Sequence, residues 1–184
     1  MKKFFAILMT MALLFGMTAC ACQKINDPTG NTTQAQNTNL TGTMEENVGK
    51  LIQANPVEFM GGFIPMDLKD TSEESLWQLK STTGLDSAEQ ITDVAVYEPM
   101  TGSQAFSLVL VRVAAGNNPK EVAQQMKENI DPRKWICAMA DQVMAAGFGD
   151  TVMFIMVDSA LGKTAQSYVD TFKDLCGGKL DFTI

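Results

Sequence analysis

Apolar residues fall along this chain in three blocks of very different density, and that division decides which part can fold. Residues 1–19 carry 14 apolar side chains, residues 20–43 carry 6 in 24, and residues 44–184 carry 64 in 141. A block as polar as the middle one cannot bury enough surface to offset its chain entropy, so folding is left to the third. That block has the length of one domain. The whole-chain values, 46% apolar and 19% charged over 184 residues, are ordinary for a globular protein and conceal the division.

The first block has a basic start, Met1-Lys2-Lys3, a twelve-residue apolar run over 4–15, and then Gly16-Met17-Thr18-Ala19-Cys20. This is the layout of a signal peptide. A bilayer core of ~30 Å needs about 20 apolar residues, so the run is too short for a permanent span. Met17-Thr18-Ala19-Cys20 resembles the bacterial lipobox, which implies that the Cys20 thiol accepts a diacylglyceryl group and becomes the new N-terminus after cleavage. Cys22, preceded by Ala19-Cys20-Ala21, is the competing acceptor, and Met17 at the third position before Cys20 favours Cys20. The other alternative is an ordinary secreted protein with a fortuitous cysteine. Two acyl chains such as palmitate anchor a protein stably. The expected location is therefore the extracytoplasmic face of the cell membrane, on a lipid.

The second block, from Cys20 to Thr43, is rich in Thr, Asn, Gln and Gly and reads as a flexible tether. Its reach as soft coil is roughly 26 Å root-mean-square. Asn31 and Asn39 begin Asn-X-Thr triplets, but a bacterial lipobox argues against glycosylation there.

The chain has no histidine. That removes Ser-His and Cys-His nucleophile pairs, imidazole bases and His-ligated metals. Its formal charge of −7 becomes −9 once Lys2 and Lys3 are cleaved away, with 12 basic against 21 acidic residues. Nucleic acid requires a basic surface and is excluded as a partner. Anionic lipid is equally ill suited to such a charge, which leaves the acyl chains to hold the membrane.

In the third block a helix is expected over Met44–Ala54, with Thr43 and Glu46 as a capping box, a stripe of Met44, Val48, Leu51 and Ile52, and Pro56 as its stop. A second helix is expected over 73–82. Between them residues 59–66 read as extended chain or an edge strand, because Pro65 lacks a ladder donor. Residues 91–98 and the nearly continuous apolar run 105–114 form a hairpin around Thr101-Gly102-Ser103, the second strand being central. A third helix begins at Asn118-Pro119, with Glu121 at the capping-box position and Val122, Met126 and Ile130 facing inward. Residues 135–146 suit either a helix, by the spacing of Ile136, Met139, Ala140 and Val143, or the first strand of a hairpin with Thr151–Val157. The hairpin is preferred. A last helix carries Leu161, Ala165, Tyr168, Phe172 and Cys176 and stops at Gly177-Gly178. The fold class is α+β: an antiparallel sheet in ββαββα order, helices mainly on one face, preceded by two short helices.

Several groups of residues invite a chemical reading. Gly162-Lys163-Thr164 suggests a phosphate-binding loop, but the first glycine that loop requires falls at Val157. Ser159 and Lys163 imitate a Ser/Lys dyad, although Ser159 is also a natural helix cap. The acidic pairs Glu45/Glu46, Asp67/Asp70 and Glu73/Glu74 have the chemistry of an acid and base or of hard-metal ligands, yet two of them sit where a helix N-terminus favours negative charge. No metal or cofactor is expected. Cys137 and Cys176 are open to two readings, a disulfide permitted by export or two small core thiols. Catalysis by Cys137 would depend on Arg133 or Lys134 alone for a thiolate. Arg133, Lys134 and Trp135 are the one concentration of positive charge and aromatic surface, a candidate contact for an anionic or carboxylate group.

The lipobox, the polar tether, Ala105-Phe106-Ser107 leading a strand that ends Val111-Arg112-Val113, the run Asn129-Ile130-Asp131-Pro132-Arg133-Lys134-Trp135-Ile136-Cys137, and Gly149-Asp150 before Val152-Met153-Phe154-Ile155-Met156 together resemble a family of Firmicutes-type lipoproteins. The C-terminal domain of that family has no assigned function. The resemblance covers residues 83–175 and implies a small α+β domain on a tether, with no catalytic residue to transfer. The expected role is a non-catalytic binding module at the cell envelope, its partner an envelope protein or a small ligand. The alternative is an extracytoplasmic enzyme that uses carboxylates or Cys137. A solute-binding protein of an importer, usually two lobes closing on a ligand, fits 141 residues poorly.

Overall fold

A computed structural model describes residues 39–184. Cys20, Cys22, the signal peptide and the tether as far as residue 38 lie outside the described residues. Four helices surround a six-stranded sheet: α1 (Met44–Ala54), β1 (Gly61–Ile64), α2 (Glu73–Thr83), β2 (Ile91–Pro99), β3 (Phe106–Val113), α3 (Pro119–Asn129), β4 (Gln142–Phe148), β5 (Thr151–Val157), α4 (Ala165–Leu175) and β6 (Phe182–Thr183). The spatial order is β1-β2-β3-β5-β4-β6, and every pairing is antiparallel. The α+β class and the ββαββα order follow the expectation from sequence.

The helices are not gathered on one face. Along β3, Val109, Val111 and Val113 join α2 and α3 through Leu79, Val122 and Met126, while Phe106, Leu108 and Leu110 join α1 and α4 through Val48, Leu51, Tyr168 and Phe172. β5 divides in the same way, Phe154 and Met156 against Met153 and Ile155. A strand apolar at both odd and even positions buries both faces, and each face then needs its own cover. Each fully buried Val, Leu, Ile or Phe contributes about 1.5–3 kcal/mol relative to exposure, so stripping either pair of helices is costly.

Local chemistry places the helices. The Thr43 hydroxyl accepts from Glu46 N–H and the Glu46 carboxylate from Thr43 N–H, closing the capping box of α1. Ser72 caps α2, Asn118 caps α3 ahead of Pro119, and Thr164 caps α4. α2 ends on Gly84 at φ +78°, in the left-handed region. Residues 135–141 form an irregular loop, and only from Gln142 does the chain become a strand, so the hairpin reading holds for the second half of 135–146 alone. β6 was not expected: the Phe182 ring lies where a side chain on Gly147 would stand, and that glycine lets it close the sheet edge.

The boundary between tether and domain also moves. Leu40 packs against the core cluster on the α1 and α4 face of the sheet, and Arg112 Nη2 donates to the carbonyl oxygens of Leu40 (3.0 Å) and Gly42 (2.9 Å). Asp150 N–H donates to the Asn39 side-chain oxygen at 3.1 Å. Residues 39–43, assigned to the tether from their polarity, are therefore held against the domain.

Candidate functional site

The loop between α3 and β4 carries the basic and aromatic residues singled out in the sequence. Asp131 starts it by accepting Arg133 N–H at 2.8 Å, and Ala140 N–H closes it onto the Pro132 carbonyl at 2.9 Å. This turn points Lys134 inward. Its ammonium donates to Glu98 Oε1 at 2.5 Å and to the Ser81 carbonyl at 3.2 Å, and buried Ser107 donates to the same Glu98 oxygen at 2.7 Å. Both partners of the ion pair are only 14% exposed. Burial holds the Lys134 ammonium below the ordinary lysine range, with Glu98 opposing that fall. Lys134 thus ties the loop to β2 and to the end of α2, and is committed to those partners.

Arg133 is exposed and Trp135 half-buried, and with Cys137, Ala138 and Met139 they line a shallow depression of about 310 Å³. The expected trio is divided: Arg133 and Trp135 share a surface, and Lys134 has left it. Cys137, at φ +62°, is exposed and its thiol is free. Cys176 is also free, buried among α1 and α4 residues, whereas the loop of Cys137 packs through Trp135 and Ala138 on the opposite side of the sheet. The sheet separates the two thiols, which excludes the disulfide reading. Burial, followed by nearby Asp181, pushes the Cys176 thiol up to about 12.

Other sequence candidates resolve into structural roles. Ser159 donates to Asp141 Oδ2 at 2.5 Å and Lys163 donates to Asn55 Oδ1 at 3.1 Å, so the imagined dyad is split between two partners. The caps expected of Ser159 fall to Asp158 for the short turn Ser159–Leu161 and to Thr164 for α4. Glu45 and Glu46 stand in the first turn of α1, and Glu73 and Glu74 in that of α2. Asp67 and Asp70 are different, because they edge a cavity.

That cavity is a groove at the β1 side of the sheet. After Ile64 the ladder with β2 stops at Val96. Residues 65–72 swing away and return as α2, and the single turn Ala88–Gln90 leads the chain into β2. They enclose about 540 Å³, within the range of ligand sites. Its floor is Met66, Leu68, Leu76, Leu79, Ala88 and Ile91, and its rim carries Asp67, Asp70, Asp86 and Glu89 against Lys69. Asp70 accepts from Ser75 Oγ at 2.7 Å and from Ser72 N–H at 2.9 Å, and these bonds hold its carboxyl below the ordinary range. It is a fixed negative charge rather than a proton donor near neutrality.

No family model matches the chain, and neither does any curated protein or solved structure. The groove therefore has to be read from its own chemistry. Among the described residues no three Cys, Asp or Glu side chains are grouped to hold a metal ion, and no helix is long and apolar enough to cross a membrane. Sequence reasoning found the Asp67/Asp70 pair but not the groove. The missed signal is the alternation after Pro65, in which Met66 and Leu68 are half-buried while Asp67 and Lys69 are exposed.

Proposed function

We propose that this protein is a lipid-anchored binding module on the extracytoplasmic face of the cell membrane, non-catalytic, with the groove beside α2 as its binding site. The observation that carries this reading is the groove itself: an apolar floor drawn from three separate stretches of chain under a charged rim. Ligand sites combine apolar area for affinity with few polar groups for orientation, and this groove has both. Its rim carboxylates fit charge recognition better than acid-base chemistry, because Asp70 stays ionised and Asp86 is paired with Lys80 at 2.7 Å. The lipobox supports the anchor, and the resemblance to Firmicutes-type lipoproteins supports the same location. A net charge of −9 after cleavage is consistent with a membrane attachment made by acyl chains and not by basic residues.

Metabolic labelling with palmitate in a Gram-positive host tests the anchor. Label is expected on the full chain and absent from Cys20→Ala; label that persists in that variant contradicts the assignment. An envelope protein or a small ligand is the occupant this reading calls for.

A further inference from the structure

We infer that the groove receives an extended, basic stretch of polypeptide that lies along β2 as an added strand, an inference that rests on the groove being the binding site. Three observations converge on it. The first is an unfinished sheet edge. β1 covers residues 96–99 of β2, whereas β2 continues to Ile91 with β3 on its other side only. Met100 N–H donates to the Met60 carbonyl at 2.9 Å, so the bonds between these strands fall on even-numbered residues of β2. By the same period Val94 turns its N–H and C=O toward the β1 edge, past the point where β1 ends. Among the described residues it has no backbone partner there. A strand edge with unmet donors and acceptors is a template for another strand.

The second observation is the floor. An added strand alternates its side chains, so one set meets Leu68, Leu76 and Ile91 while the next set turns outward to the rim. The third is charge. With Asp86 paired to Lys80, the lining leaves Asp67, Asp70 and Glu89 against Lys69, a formal −2, and the cleaved chain as a whole carries −9. Lysine or arginine in the outward positions complements that rim, and acidic segments are repelled. A small anion meets one ammonium here, Lys69, among the rim carboxylates. A basic peptide meets apolar and charged partners in the groove, and the unpaired edge of Val94 lies two residues beyond Thr92, the last β2 residue of its lining.

The test uses the full chain, isotopically labelled, and a short capped peptide of alternating lysine and valine. Amide shifts are expected at Thr92 and Val94, with affinity falling about tenfold or more in Glu89→Lys and less in Asp67→Asn, which keeps the turn acceptor at that position. A glutamate-valine peptide and a lysine-valine peptide with an N-methylated backbone should both fail to bind. Equal binding by either comparator, or unchanged affinity in Glu89→Lys, overturns the inference. Indole, a neutral aromatic probe, separates the two levels: shifts at Leu68, Leu76 and Ile91 from indole with none from the lysine-valine peptide overturn the added strand alone. Absence of shifts from both probes overturns the binding groove as well.

Discussion

Arg112 Nη1 lies 2.9 Å from both carboxylate oxygens of Asp150, and the other end of the same guanidinium holds the carbonyls of Leu40 and Gly42. One side chain on a central strand therefore joins the β4–β5 turn to the residues that lead into α1. Planar geometry is essential, because a guanidinium donates in several fixed directions and an ammonium does not. Arg112→Ala is expected to destabilise the domain by about 1–3 kcal/mol and to unprotect the amides that precede α1 in hydrogen exchange. Arg112→Lys should restore only part of the loss. Full protection in either variant contradicts the latch.

Gly84 makes a second, independent prediction. A methyl group there would stand 2.5 Å from the Met126 carbonyl oxygen, in a residue already at φ +78°, and Asn129 Nδ2 donates to the Gly84 carbonyl at 3.1 Å. Backbone strain of about 1–2 kcal/mol adds to a clash with main chain that cannot rotate away. Gly84→Ala should cost more than about 2 kcal/mol in urea unfolding. Gly116→Ala, also at positive φ but in open space, should cost less.

The ion pair of Lys134 with Glu98 gives the pH dependence. Lys134 binds its proton less tightly in the folded chain than at the ordinary lysine value of 10.5. Just below pH 10.5 the unfolded chain thus holds more protons than the folded one, and stability rises with pH across that interval. Lys134→Met should remove the rise. At neutral pH it should also destabilise by about 3–5 kcal/mol, because Glu98 stays buried without its cation. Adding Glu98→Gln should recover part of that loss; denaturation curves at several pH values measure both effects.

The two described thiols should differ sharply in reactivity. Cys137 is exposed, whereas Cys176 is buried and its thiol is pushed up to about 12, so it stays protonated near pH 8. Brief alkylation of the native protein should mark Cys137 and spare Cys176 until denaturant is added, as peptide mapping would read. Equal labelling of both would contradict the burial of Cys176.

Much of the scaffold is legible in the sequence because local chemistry decides it. Thr43 with Glu46 and Asn118 with Pro119 announce helix starts wherever they stand, and the lengths of β3 and β5 follow from their apolar runs. Two-sided burial was written in those runs as well, since Phe106, Leu108 and Leu110 are as apolar as Val109, Val111 and Val113. What escaped detection depends on distant residues. Nothing near Lys134 announces Glu98 and Ser107, nothing near Leu40 announces Arg112, and the groove joins Leu68 to Ile91 across a helix. Short polar stretches such as 39–43 read as tether because their partners lie far along the chain.

The central claim, a binding groove on a membrane-anchored module, is tested most directly by a photo-crosslinking side chain placed in the intact protein in its own membrane. A benzophenone residue at Leu68, on the groove floor, should give a discrete adduct that the lysine-valine peptide competes away. The same residue at Thr183, on the far edge of the sheet, should give none. Equal adducts from both positions, or none from Leu68, would contradict the account.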